Sequence, residues 1–241
     1  MQYGITAMFK SKKNKQSDDY WIALSDVMTA LMLLFLLISV VYMIKVNDSV
    51  KIPKIFKQTT QGLSDKLNNE FDKDLHAWGA VIDKDLTIRF LQPDILFKVG
   101  SSNVSNEFKM ILDDFFPRYL NILMSDEFID NIEEIRIEGH TSSAWENATE
   151  KNEAYLKNMA LSQERTRAVL EYIINSNKLN ENQINWLKTH FRVIGFSSAR
   201  LLDKNQQPVT NNSTEDPLKS QRVEFRVRTN IEQKVSSIIK K

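Results

Sequence analysis

The run WIALSDVMTALMLLFLLISVVYMI, Trp21 to Ile44, decides how the chain must be arranged. No other stretch of the 241 residues is long and apolar enough to cross a bilayer. Ile22 to Ile44 makes 23 residues, roughly 34 Å as a helix, against about 30 Å of hydrocarbon. The stretch therefore spans with some tilt. It is longer than the apolar core of a cleavable signal, and Tyr42-Met43-Ile44-Lys45 offers no small-residue cleavage site, so it reads as an uncleaved signal-anchor. The chain divides around it into a tail (1–20), a transmembrane helix (21–45), a linker (46–77), a folded domain (78–230) and a second tail (231–241).

One residue in the span is expensive there. Asp26 lies about one turn inside the N-terminal end, and a carboxylate within hydrocarbon needs a partner, a route to water or a proton. Two readings stay open on spacing alone. Asp26 either reaches the interface or caps the helix after Ser25, or it faces a partner helix and takes up and releases a proton. Thr29, Ala30 and Leu33 share its face at i+3, i+4 and i+7. The first two are small enough to let a neighbouring helix approach. Lysines do not settle orientation: Lys10, Lys12, Lys13 and Lys15 precede the span, and Lys45, Lys51, Lys54 and Lys57 follow it. The short N-terminal tail and large C-terminal part favour a cytoplasmic N-terminus.

Composition excludes much else. A net charge of +1 provides no field for nucleic acid. There is no cysteine, hence no disulfide framework, thiol nucleophile or thiolate metal site. The three histidines, His76, His140 and His190, are scattered, and no zinc motif is present. No nucleophile–base–acid set or phosphate loop is found, so no catalytic residue, metal or cofactor is expected.

Beyond the span, Ile52, Ile55, Phe56 and Thr59, then Leu63, Leu67, Phe71 and Leu75, recur at helical spacing. This amphipathic helix either packs on the following domain, or pairs with its copy in a dimer or plugs a channel. Ala80, Ile82, Leu86, Ile88 and Phe90 alternate about the polar turn Asp83-Lys84-Asp85, which predicts a hairpin. Ser105 caps a helix carrying Phe108, Ile111, Leu112, Phe115 and Tyr119, with Pro117 expected to kink or divide it. Ile132–Gly139 predicts a strand with Ile135 and Ile137 inward, after a solvated acidic turn at Glu133-Glu134. A long helix follows from about Glu153 to Asn177, with Leu156, Ala160, Val169 and Ile173 towards the core. His190–Gly195 and Val223–Val227 predict two more strands, separated by a loop rich in Asn, Ser, Thr and Pro. The fold class is a single transmembrane helix plus an α+β domain, helices packed on a mixed β-sheet.

Two sets of strings carry a family resemblance. SDVMTALMLLFLL is similar to the transmembrane segment of the MotB family, the B subunits of ion-driven stators, and the residue matching the family's ion-carrying aspartate is Asp26. LFKVGSSNVS, IRIEGHTSS, NMALSQERTRAV, RVIGFSS and SQRVEFRV follow the order and spacing of OmpA-like peptidoglycan-binding domains. That resemblance implies wall binding at Thr141, Ser142, Asn158, Leu161, Ser162 and Arg165. Arg165 would hold a ligand carboxylate as a bidentate pair, Asn158 the peptide backbone, and Leu161 the pocket floor. The family's aspartate after Gly-His-Thr is replaced by Ser142. Its role towards the ligand's ammonium falls either to Glu146, Glu150 or Glu153 of an unusually long loop, or to no carboxylate. Without the motif, His140 reads as a core histidine, and Arg222 as structural.

Taken whole, the chain resembles a stator branch serving anti-phage defence more closely than a flagellar stator. The grounds are the W-x-x-x-S-D-V-M-T-A-L-M form of the span, the long loop after GHTSS and the short length. The resemblance implies a homodimer inside a ring, five copies by expectation, of a multi-span MotA-like subunit in the inner membrane. It places the N-terminus in the cytoplasm and the C-terminal domain in the periplasm on the peptide stem. A flagellar stator subunit and a passive membrane-tethered wall anchor are the alternatives.

Overall fold

The computed structural model describes residues 15–98 and 100–230, with the side chains of 20–46, 59–98 and 100–230. Lys10, Lys12 and Lys13, the tail 231–241 and the side chains of Ile52, Ile55 and Phe56 lie outside the described residues. The chain separates into two compact units, 1–53 and 54–241.

The first unit is dominated by α1 (Lys15–Phe56). Within it Tyr20–Val46 is long and apolar enough to cross a membrane, and none of it is buried by the protein itself. Leu31, Phe35, Leu37 and Met43 are all more than half exposed. Such a surface is stable only against lipid or other helices.

A π-helical turn, Lys57–Gln61, separates α1 from α2 (Gly62–Leu75). Leu63, Leu67 and Phe71 of α2 are fully buried, and they join the core of the second unit. Half of the sequence-predicted stripe is thus consumed by packing on the domain and is not offered to a second copy. Then come β1 (Ala80–Ile82), β2 (Thr87–Phe90), α3 (Pro93–Leu96), α4 (Asn106–Leu123), β3 (Ile132–His140), α5 (Lys151–Asn175), α6 (Glu181–His190), β4 (Phe191–Gly195), α7 (Pro217–Ser220) and β5 (Arg222–Thr229). The sheet order is β1-β2-β5-β3-β4. Only β3 and β4 run parallel, and α5 and α6 form the crossover between them.

The apolar face of the sheet is closed by aromatic packing. Phe115 on α4 lies with ring centroids 5.3 Å from Phe71, Phe90 and Phe225 and 5.9 Å from Trp78. It therefore ties α2, the hairpin and β5 to one point. Ser105 caps α4 as expected, accepting the Phe108 amide at 2.9 Å. Pro117 does not divide the helix, which runs as one element from 106 to 123. Pro117 removes one backbone donor, and buried neighbours on both sides, Phe115, Phe116, Tyr119 and Leu120, hold the turn in place.

α2 is also fixed from outside. Arg118 of α4 donates to Glu70 (2.7 Å), Asp74 (2.9 Å) and Asp114 (3.2 Å), and its guanidinium lies 5.0 Å from the Phe71 ring centroid.

Three expectations need correction. On α5 the buried face is Ala154, Asn158, Ser162, Arg165, Thr166, Val169 and Ile173, while Leu156 and Ala160 are exposed. Periodicity found Val169 and Ile173 but not the polar half of that face, because the residues there are hydrophilic. Helix α6 is absent from the sequence reading, although Asn180 and Gln183 form a capping box at its start. Glu133-Glu134 is not a turn: both residues belong to β3, and Glu134 pairs with Arg136 (2.7 Å) and Arg228 (3.3 Å).

Because α2 is part of the core, Leu67→Ala should destabilise the C-terminal unit by about 2–5 kcal/mol, the range for a buried leucine. Urea unfolding of the full chain followed by tryptophan fluorescence measures this. A linker helix merely leading to the domain would show no change.

Candidate functional site

The site is built where β3 and β4 end and α5 crosses them. Gly139 and Gly195 are paired across the two strands. A Cβ on Gly139 would lie 2.7 Å from the Ser162 carbonyl oxygen, and one on Gly195 would lie 2.6 Å from the Gln163 amide. Glycine at both places lets α5 descend onto the strand ends. Ser162, fully buried, donates to the Met159 carbonyl (2.9 Å) and accepts the Ser197 amide (3.1 Å). Ser197, in the left-handed region at φ 53°, donates its hydroxyl to the Tyr155 carbonyl (2.7 Å) and accepts the Thr141 amide (2.9 Å). Helix, strand end and the loop after β4 are thereby stitched through two serines.

This stitching sorts the sequence-predicted residues. Thr141, Ser142, Asn158 and Arg165 are gathered around the strand end, each buried. Asn158 donates from its side-chain amide to the Ala144 carbonyl (3.1 Å), holding the start of the long loop. Leu161 is half-buried. Ser162 is internal, with its hydroxyl engaged inside the protein, so it shapes the site without facing a ligand. Asp26 belongs to the other unit. Among the described residues it has no hydrogen-bond or ion-pair partner.

Arg165 is the chemically conspicuous member. It is 7% exposed, its Nε donates to the Ser101 carbonyl (3.0 Å), and its guanidinium sits 4.9 Å from the Phe97 ring centroid. No carboxylate pairs with it among the described residues, and burial lowers its pKa to about 10, which leaves it charged. A buried cation without a counter-ion is costly, and a guanidinium offers parallel donors to one carboxylate. The arrangement is suited to an incoming anion. Ser101 and Phe97, which complete it, lie in the LFKVGSSNVS string but carry no periodic signal of their own.

The opposite face of the sheet is polar and internally paired. Glu138 and Glu224 stand directly opposite one another on β3 and β5. Like charges in that register repel, and arginines offset this. Arg222 donates to Glu224 at 2.7 Å, Arg200 to Glu138 at 3.2 Å, and Arg226 lies 3.4 Å from each carboxylate. His140 is buried beside them, its Nε2 3.6 Å from Glu224, its ring stacked on Phe196 at 5.0 Å. The ligand atoms of Glu138, His140 and Glu224 lie within 4.8 Å of one another, the spacing of a metal site, yet three guanidiniums already occupy the carboxylates. A dication there would meet their repulsion, so the cluster reads as a charge-balanced structural network. Arg222, 4% exposed, is structural as expected. Burial pushes His140 down to about 4, against the pull of Glu224. Burial alone would raise Glu224, but His140 and Arg222 hold it below the usual carboxylate range, whereas burial keeps Glu138 above it.

Residues 96–215 match the OmpA family. The Zorya protein ZorB of Escherichia coli is 43% identical over 233 residues, covering 94% of this chain and 95% of that protein. Among solved structures, a MotB-like protein from Desulfovibrio vulgaris is 19% identical with a TM-score of 0.46, covering 70% of this chain and 94% of that one. The cell wall anchor of the T6SS from Pseudomonas aeruginosa is 19% identical with a TM-score of 0.44, covering 68% and 96%.

The buried His140 makes stability depend on pH. An unfolded histidine binds a proton near pH 6.5, while folded His140 resists until about pH 4. Between these values the unfolded chain holds the extra proton, so the stability that His140 contributes is lost as pH falls from about 6.5 to 4, and Glu224, held below the usual carboxylate range, adds a further loss at lower pH. The contribution is about 3 kcal/mol at most. Glu138, raised by burial, opposes the trend. Urea unfolding at a series of pH values should show His140→Gln flattening the slope; an unchanged slope would mean the imidazole is not the titrating group.

Proposed function

The chain belongs to the ZorB family, and from that premise we propose that it is the wall-anchored B subunit of a proton-driven inner-membrane motor of the Zorya anti-phage type. In this reading α1 crosses the inner membrane once, N-terminus in the cytoplasm, and the second unit grips peptidoglycan in the periplasm. Two copies stand inside a ring of five multi-span subunits of the MotA or ZorA kind. The chain itself does no covalent chemistry.

The observation that carries the reading is Asp26. It is a lone carboxyl on a span whose flanking side chains are otherwise apolar or small, and it is exposed on that helix. One helix cannot enclose a proton path, so partner helices must supply the other walls. A proton crossing the full membrane potential releases about 2.3 kcal/mol per 100 mV. That energy becomes relative motion only if one component is held still. A wall-binding domain on the same chain supplies the fixed point.

The wall site in this proposal is the Arg165 pocket. The buried guanidinium would take the stem peptide's carboxylate as a charge-assisted pair, with Asn158, Thr141 and Ser142 lining the approach and Leu161 at its side. A diamino acid of the peptide stem supplies the anionic group.

Two experiments test the two halves. Asp26→Asn should abolish proton flux and phage protection while co-purification with the multi-span subunit persists; retained protection would reduce the chain to a passive anchor. Arg165→Ala should weaken co-sedimentation with purified peptidoglycan at least tenfold, about 1.4 kcal/mol, the scale of a charge-assisted hydrogen bond. Unchanged sedimentation would remove the pocket from the site.

A further inference from the structure

The polar face of the sheet carries a cavity of about 580 Å³, within the range of small-molecule sites, about 300–1,000 Å³. Its floor is strand. Arg89 of β2 stands directly opposite Glu224 of β5, with Arg222 and Arg226 two residues to either side of that glutamate. Its roof is the loop after β4, through Ser198–Leu202 and Gln206–Val209. Arg165 belongs to the other face of the sheet.

The roof is held in place without a ligand. Leu202 bridges Pro208, the Val209 amide donates to the Leu201 carbonyl (3.0 Å), and Asp203 Oδ1 accepts the Asn205 and Gln207 amides (2.9 and 3.0 Å). The small hairpin so formed is pinned at its base. The Leu202 amide donates to the hydroxyl of buried Ser220 (3.0 Å), and Arg222 Nη1 donates to the Arg200 carbonyl (3.1 Å). A ligand entering here does not have to order the loop, which removes a large cost of binding.

Charge decides what can enter. Arg89 donates to Asp83 (2.6 Å), Arg200 to Glu138 (3.2 Å), Arg222 to Glu224 (2.7 Å) and Arg226 to Asp85 (2.6 Å), so four guanidiniums meet four carboxylates. A free cation would face the arginines, and a free anion would face Asp83 and Glu224. What the walls do offer is directed hydrogen bonding. A guanidinium carries five donors and no acceptor, an ionised carboxylate only acceptors, and each pair uses part of that capacity. Arg222 and Glu224 are almost fully buried and close the inner end, whereas Arg89, Asp83 and Arg226 keep exposed edges. The amides of Gln206 and Gln207 add a donor and an acceptor each from the roof. A hydroxyl both donates and accepts, so neighbouring hydroxyls match donor and acceptor edges set side by side. Leu201, Pro208 and Val209 supply an apolar strip for the C–H surface of the same molecule.

We propose that this cavity binds a neutral polyhydroxylated ligand of mono- or disaccharide size, its vicinal hydroxyls bridging the Arg89–Asp83 pair and the amides of Gln206 and Gln207. The assignment does not depend on the wall-binding reading of Arg165. A free sugar and a sugar unit of a glycan strand share this chemistry.

The test uses the full chain in a sugar-free detergent and follows binding of the neutral disaccharide of N-acetylglucosamine by titration calorimetry. Glucosamine and glucuronate serve as cationic and anionic controls. Saturable binding of the disaccharide is expected, with both charged sugars at least tenfold weaker. Asp83→Asn should lose at least tenfold in affinity, the scale of a hydrogen bond to a charged group. Gln207→Ala, an exposed position that the core does not need, should also weaken binding, and urea unfolding checks that both variants are folded. Arg165→Ala should bind the sugar like the unaltered protein. Absence of saturable binding would overturn the site, as would unchanged affinity in folded Asp83→Asn and Gln207→Ala, or loss of the sugar in Arg165→Ala. Charged sugars binding as tightly as the neutral one would overturn the ligand class. Sedimentation of Arg165→Ala with purified peptidoglycan that the disaccharide competes away would identify the glycan strand as the source; sugar binding without such competition would identify a free sugar.

Discussion

The close approach of α5 to the paired glycines Gly139 and Gly195 is the constraint on which the second unit depends. With a side chain at either position the helix would have to ride higher, and Ser162 would no longer reach Ser197. The turn after β4, the end of β3 and the first half of α5 would lose their common reference. Asn158, Ser162 and Arg165 are in place because the backbone beneath them is bare.

The contrast between arginines explains why one of them is the candidate for an anion-binding site and the others are not. On the polar face of the sheet, Arg200, Arg222 and Arg226 are spent on Glu138 and Glu224, two carboxylates that strand register forces together. Arg222, the buried one of the three, is compensated locally, and the network stabilises the register that created it. Arg165 is as buried as Arg222, with only a carbonyl and an aromatic ring for company. Folding leaves that charge underpaired, and this is what makes Arg165 the candidate for an incoming anion.

Much of this was legible in the sequence because the elements have strong periods. The span, the hairpin, the capped α4 and the three later strands follow from apolar spacing. The motif strings located Arg165 and Asn158. What stayed hidden has a physical pattern. The inner face of α5 is half polar, so hydrophobic period pointed to Leu156 and Ala160, which are exposed. Helix α6 was announced only by its cap. Ser162 carries no mark that separates a ligand-facing serine from one that sutures backbone. Glu215 meets Ser143 across 72 positions, and no local signal predicts such a contact.

The attachment of α2 has a mechanical consequence. Its N-terminal end at Gly62 is held by the apolar contacts of Leu63 and by packing near Phe128, whereas its C-terminal half carries the Arg118 cluster with Glu70 and Asp74. Tension arriving along the chain from the π turn meets the Gly62 end first. Leu63, Leu67 and Phe71 are each fully buried, so a pull entering there has to expose core side chains one turn at a time before it reaches the Arg118 cluster, and the length of α2 sets how far the chain can pay out.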